Sequence, residues 1–220
     1  MSVAPGRPTC VLFDWDNTLV DAWGGVQVAL NAARAAFGLD AWDRTTLLAN
    51  VRLSLRDSFP IMFGPDWERA RVIFAESYAA AQFQHLAPLP GAEAALAAAA
   101  RLGFTGVVSN KTGRFLRKEA RHLGWAGHCG ALVGAGDAAR DKPHADPILL
   151  ALAAARMQPG PEVWYVGDTI TDLQAARAAG CTAVLVGDAL HEGGIEALRQ
   201  AGQAPDLHLP DAAALARHWT

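Results

Sequence analysis

Val11-Leu12-Phe13-Asp14-Trp15-Asp16-Asn17-Thr18-Leu19-Val20-Asp21 is the stretch on which the fold turns. Its opening apolar run reads as a strand buried on both faces, and it ends abruptly in acids. Residues two apart on an extended chain project to the same side, about 6–7 Å apart. Asp14 and Asp16 therefore converge just past the strand. Carboxylates that close repel unless positive charge lies between them. A hard divalent cation meets that need, because magnesium takes oxygen ligands, uses one or two carboxylates and keeps places for water and phosphate oxygens. The plainer alternative is a strand end followed by helix-starting residues, for which Asp, Asn and Thr are all suited.

Outward from this segment, short apolar runs recur at Phe104 to Ser109, Ala131 to Val133, Val163 to Val166 and Thr182 to Val186, with a short sixth at Asp206 to Leu209. Each is bounded by Gly, Asp or Asn. Helical patterns lie between them: Gly91 to Leu102, with Pro90 at its start, then Arg114 to Leu123, Asp146 to Met157, Asp172 to Ala179 and Gly193 to Ala201. This alternation predicts an α/β fold with a doubly wound parallel sheet, helices covering both faces.

One interval breaks the rhythm. From Ala22 to about Pro88 no strand is evident, and Val26 to Phe37, Asp43 to Leu53 and Asp66 to Phe83 read as helices. A connection of roughly 65–70 residues is far longer than an ordinary crossover. It is expected to form a second, smaller all-α domain over residues 21–88, inserted after the first strand, with residues 1–20 and 89–220 forming the α/β core.

Three further polar clusters follow predicted strands. Ser109-Asn110-Lys111 could hydrogen-bond an anion, or could form a simple turn. Lys142, in Asp141-Lys142-Pro143-His144-Ala145-Asp146-Pro147, is either a surface residue or a fixed ammonium facing negative charge. His144 could approach the same place. Gly167-Asp168-Thr169-Ile170-Thr171-Asp172 offers two more acids, of which Asp172 could equally cap the next helix. In open parallel sheets, ligands bind beyond the carboxyl ends of the strands, where all four clusters fall.

Asp-x-Asp-x-Thr-Leu-Val-Asp at Asp14–Asp21, the strand-end Ser109, Lys-Pro-x-x-Asp-Pro from Lys142, and Gly-Asp-x-x-x-Asp from Gly167 together resemble the four motifs of the haloacid dehalogenase superfamily, in order, across residues 10 to 187. The resemblance implies a Rossmann-like core with a helical cap. Asp14 would attack phosphorus; Asp16 would protonate the leaving group and lend its main-chain carbonyl to the metal. Thr18, Ser109 and, as a weaker candidate, Asn110 would contact the phosphoryl group, with Lys142 neutralising it. Asp14, Asp16 and Asp168 would hold Mg2+, and Asp172 would order the metal's waters or orient Lys142. Asn17 stands where many relatives have Gly, a change Asn tolerates. Retention of the second acid favours phosphate esters over halides. The absence of Lys between Asp21 and Pro88 leaves a phosphonatase-like Schiff base without a candidate. Arg52 and Arg56 are the insert's expected anion contacts. Ser109-Asn110-Lys111 and Leu89-Pro90-Gly91 are similar in style to phosphoglycolate phosphatases.

The chain has 220 residues, 51% hydrophobic, with formal net charge −3, so no basic surface points to nucleic acid. No run reaches the roughly 18 apolar residues of a membrane span, and no secretory leader is evident. Cys10, Cys129 and Cys181 are odd in number and widely spaced, as expected of free thiols in a reducing compartment. The expectation is a cytoplasmic enzyme acting on a small phosphorylated metabolite, with oligomeric state left open. Three alternatives remain: a phosphosugar mutase on the same scaffold, a receiver-like signalling domain, and an idle phosphate-binding protein. Receiver domains are about half this length and carry the acceptor Asp on a later strand than their acidic pair.

Overall fold

The computed structural model describes residues 5–51 and 53–219. Its elements run β1 (Cys10–Phe13), β2 (Val20–Asp21), α1 (Trp23–Ala36), α2 (Arg44–Asn50), α3 (Leu55–Phe63), α4 (Trp67–Ala81), β3 (Ala87–Pro88), α5 (Ala92–Leu102), β4 (Phe104–Thr112), α6 (Gly113–His122), β5 (Ala131–Ala135), α7 (Asp146–Ala155), β6 (Val163–Gly167), α8 (Ile170–Ala178), β7 (Thr182–Val186), α9 (Gly194–Gln200), β8 (Leu207–Leu209) and α10 (Ala212–His218). Six strands form one sheet in the order β5-β4-β1-β6-β7-β8. Every pairing in it is parallel, with β1 between β4 and β6.

The expected α/β architecture is thus present, and alternation along β1 explains why both sheet faces are dry. Val11 and Phe13 join Leu96, Leu116, Trp164 and Leu215 on one face. Cys10 and Leu12 join Ile148, Leu152, Tyr165 and Leu173 on the other. Side chains on one strand feed two cores because successive residues point to opposite faces. The chain leaves β1 for β4 on one side and later reaches β6 on the other, which opens a crevice at the carboxyl end of β1.

The long interval after β1 is helical, with three differences from expectation. A strand lies at each end: Val20 and Asp21 of β2 pair antiparallel with Pro88 and Ala87 of β3. There is also an additional helix, α3, which contains Pro60. A proline six residues into a helix removes one main-chain donor, so the segment gave no helical signal. At the start of this helix the Ser58 hydroxyl donates to the Ser54 carbonyl at 2.9 Å. Helices α1 to α4 share their own apolar cluster around Leu30, Leu47, Phe59, Phe74 and Tyr78, which Phe115 of α6 also enters. The expected helix from Asp43 to Leu53 is shorter, with Asp43 accepting from the Thr46 main chain as its N-cap and Asn50 as its last residue. The C-terminal α10, not anticipated, packs on α5 and closes one sheet face with Leu215 and Trp219.

The three cysteines are free, and burial lifts Cys10 to about 12 and Cys181 to about 11. Among the described residues, no helix is long and apolar enough to cross a membrane.

Candidate active site

Asp14 follows β1 directly, and its main-chain N–H donates to the Val166 carbonyl at 2.8 Å, locking the end of β1 to that of β6. The chain then turns at Asn17, which adopts φ 67°. Asparagine is among the few side-chain-bearing residues that take this left-handed conformation readily, so the Asn in place of Gly is accommodated. The turn carries Asn17 and Thr18 back over β6. Asn17 Nδ2 donates to Asp168 Oδ2 at 3.1 Å, and Thr18 Oγ1 donates to Asp168 Oδ1 at 3.0 Å. Thr18, expected at the phosphoryl group, directs its buried hydroxyl to the Asp168 carboxylate.

Asp168 leaves β6 through Gly167 and is followed by a helix start in which Thr169 and Asp172 cap one another. A Cβ on Gly167 would collide with the Asp172 side chain, so glycine permits this close approach. Asp172 both caps α8 and contacts Lys142. Its Oδ2 accepts from the main-chain N–H of Asp168 and Thr169 and from the Thr169 hydroxyl. Its Oδ1 receives Lys142 Nζ at 2.6 Å.

Lys142 is the positive centre. Its three ammonium donors go to Asp14 Oδ1 at 2.7 Å, Asp172 Oδ1 at 2.6 Å and the Tyr165 hydroxyl at 2.9 Å. Tyr165 in turn donates to the Val108 carbonyl. Asn110, expected at the phosphate, clamps the Lys142 main chain through both ends of its amide, each at 3.0 Å. Ser109 is buried at the end of the apolar part of β4, and its Oγ accepts the Lys111 N–H at 3.2 Å.

Asp14, Asp168 and Asp172 each bring a carboxylate oxygen within 4.8 Å of the others, all buried. Burial raises Asp14 to about 6, with Lys142 opposing and Asp172 and Asp16 adding to the rise. Burial first, then Asp172 and Asp14, push Asp168 well above the usual carboxylate range. Burial pulls Lys142 downward, but Asp14 and Asp172 outweigh it and hold the ammonium charged. The three crowded, buried carboxylates form an all-oxygen donor set that fits a hard divalent cation.

Asp16 lines the same pocket but is not one of the three clustered carboxylates. Its side chain forms an ion pair with Lys111 at 3.0 Å. Lys111, an unanticipated site residue, also reaches Glu119 Oε2 at 3.3 Å and donates to the Tyr78 hydroxyl at 2.5 Å. Glu119 is fully buried and accepts from Tyr78 at 2.7 Å and Trp15 Nε1 at 2.8 Å. Tyr78 belongs to α4 of the insert, so the network ties the insert to the acid at the end of β1. Lys111 stands one residue beyond the expected phosphate site, but nothing in the sequence linked it to Glu119 or Tyr78.

Arg56 does not face the acids. It pairs with Asp141 at 3.1 Å, linking the insert to the loop that carries Lys142, and it borders a separate cleft. Arg52 lies outside the described residues. His144 is exposed and does not border the acidic pocket.

The model of the haloacid dehalogenase-like hydrolases matches residues 11–186. The chain belongs to that family. A phosphoglycolate phosphatase of Chromobacterium violaceum is 33% identical over 187 residues, covering 80% of this chain and 84% of the relative. An N-acetylmuramic acid 6-phosphate phosphatase of Pseudomonas aeruginosa is 33% identical over 184 residues, covering 79% of each chain. A crystal structure of a haloacid dehalogenase-like hydrolase from Bacteroides fragilis superposes with TM-score 0.83 at 21% identity, covering 95% of this chain and 100% of that one. That likeness is one of fold.

Proposed function

We propose that this haloacid dehalogenase-like hydrolase cleaves small phosphomonoesters by transferring the phosphoryl group first to Asp14 and then to water. The supporting observation is the Lys142 ammonium bridging Asp14 and Asp172, with Asp168 alongside, where β1, β4 and β6 end. The chain is a phosphoric monoester hydrolase by class; its metal, intermediate and substrate are the inference.

The free oxygen of Asp14 attacks phosphorus in line as the bond to the ester oxygen breaks. Lys142, fixed on the other oxygen of Asp14, compensates charge on the nucleophile and the phosphoryl oxygens. Asp16 gives its proton to the departing alkoxide; burial and Glu119 raise its pKa against the opposing pull of Lys111, favouring the protonated acid that this step needs. Asp16 then takes a proton from the water that attacks the aspartyl-phosphate. Asp14, Asp168 and the Asp16 main-chain carbonyl would hold magnesium, which when bound draws charge from the phosphoryl oxygens. Asn17 and Thr18 keep Asp168 oriented, and Asp172 keeps Lys142 in place.

Residues 21–88 act in this reading as a cap over the crevice, joined to the core through β2 and β3 and through Tyr78 and Arg56. A cap of this kind limits water and favours small metabolites. Free cysteines agree with a cytoplasmic enzyme. The test is phosphate release from small phosphomonoesters with and without magnesium: release that needs the metal and vanishes in Asp14→Asn supports the reading. Interconversion of sugar phosphates without phosphate release would favour a mutase.

A further inference from the structure

Asp141 and Lys142 are neighbours in the chain, and their side chains serve different partners. The Lys142 ammonium reaches Asp14 and Asp172. The Asp141 carboxylate is buried, and its Oδ1 accepts the Gly136 main-chain N–H at 3.0 Å and meets Arg56 Nη2 at 3.1 Å. Gly136 directly follows β5, so the first contact ties the loop that carries Lys142 to the sheet. Arg56 lies in α3, so the second ties the same loop to the insert.

The two contacts differ in kind. The Gly136 bond lies within the core. The Arg56 contact exists only while the insert is seated, and it supplies charge. A buried carboxylate that loses its cation must find water or another cation. Asp141 Oδ2 is buried and has no hydrogen-bond partner among the described residues, so with the insert in place hydration of this group requires the loop to give way. Lys142 is the next residue. Asn110 of β4 holds its main chain, and Asp141 holds the chain just before it. Lys142 Nζ is 2.7 Å from Asp14 Oδ1, and a shift of about 1 Å would take it out of hydrogen-bond range.

We propose that Arg56 and Asp141 are positioning residues for Lys142: the seated insert places Arg56 on Asp141, and Asp141 fixes the main chain from which Lys142 reaches Asp14. This rests on the phosphatase reading above and adds that the ammonium is fully aligned only when the insert is seated.

The test measures phosphate release from phosphoglycolate and from p-nitrophenyl phosphate by the full chain with magnesium, beside a thermal melt of each variant. Arg56→Met should lower kcat about 10- to 100-fold for both esters. KM should change little, because the misplaced charge acts on the transition state. Asp141→Asn should match that loss, and the double variant should fall no further than the lower single, as expected of groups acting through one contact. Arg56→Lys, which keeps the charge, should recover part of the loss. Arg44→Met breaks another ion pair of the insert, with Asp21 at 2.8 Å, and should leave kcat unchanged. Lower melting temperatures with kcat unchanged, additive losses in the double variant, or a loss confined to phosphoglycolate and expressed in KM, as a direct contact with its carboxylate would give, overturns the proposal and leaves the phosphatase reading intact. No phosphate release from either ester by the parent overturns both.

Discussion

Lys111 Nζ lies 3.0 Å from Asp16 Oδ1 while hydrogen-bonding Tyr78 of the insert, so the proton donor of the proposed reaction is held by a residue that also senses the seating of the insert. Glu119 completes the network from within α6. Lys111→Met leaves Asp16 and Glu119 without their cation. Breaking such a pair costs roughly 3 kcal/mol, toward the low end for buried pairs because Asp16 is partly exposed. Tyr78→Phe removes one hydroxyl and should cost about 1–2 kcal/mol. If the network positions Asp16, Tyr78→Phe also lowers kcat more than it raises KM. Urea unfolding and steady-state kinetics measured on the same samples separate the two effects.

Asp16→Asn keeps the shape of the side chain but cannot donate the proton. A fall in kcat of about 10²–10⁴ is expected for alkyl phosphates. Aryl phosphates, whose leaving groups need little protonation, should lose much less. Equal losses for both would count against Asp16 as the acid.

Asp14 and Asp168 repel each other in the absence of a cation. Asp168→Asn relieves that repulsion, so the metal-free variant should melt no lower than the metal-free parent. It should also lose the rise in melting temperature that magnesium gives the parent. Thermal melts with and without magnesium, and with chelator, test both points. An undiminished magnesium response in Asp168→Asn would remove Asp168 from the metal site.

The raised pKa values of Asp14, Asp16 and Asp168 set the direction of the pH response. Without metal, the folded protein keeps protons that the unfolded chain releases. For Asp14, this stability is fully present below its ordinary value of 3.8 and is lost as pH rises through about 6. Metal-free stability should therefore fall between pH 4 and 7. Magnesium competes with the same protons, so its affinity should weaken below about pH 6. Calorimetric titration at pH 5.5 and 7.5 reads the second effect, and urea midpoints read the first.

The parts of this architecture that the sequence reveals are those with local, repetitive causes. Val11 to Phe13 and Val163 to Val166 are continuous apolar runs because both faces of their strands are covered. The acids at their ends follow in fixed order along the chain. Helix α3 was hidden because Pro60 interrupts its pattern, and α10 because seven residues rich in alanine carry little periodicity. The contacts of Thr18 and Asn110 were not legible for a different reason: a hydroxyl or amide near an anion site can serve the ligand or brace its neighbours, and only three-dimensional proximity decides. Lys111, Glu119 and Tyr78 lie on three separate elements, and each alone reads as an ordinary polar residue. Their joint burial is a property of the packed chain.

Acid quenching during turnover of a small alkyl phosphate with magnesium, followed by peptide mass spectrometry, tests the nucleophile most directly. The account predicts one phosphoryl group on the peptide containing Asp14, labile to hydroxylamine and absent in Asp14→Asn. A phosphoryl group on another residue, or undiminished turnover by Asp14→Asn after deamidation is excluded, would contradict it.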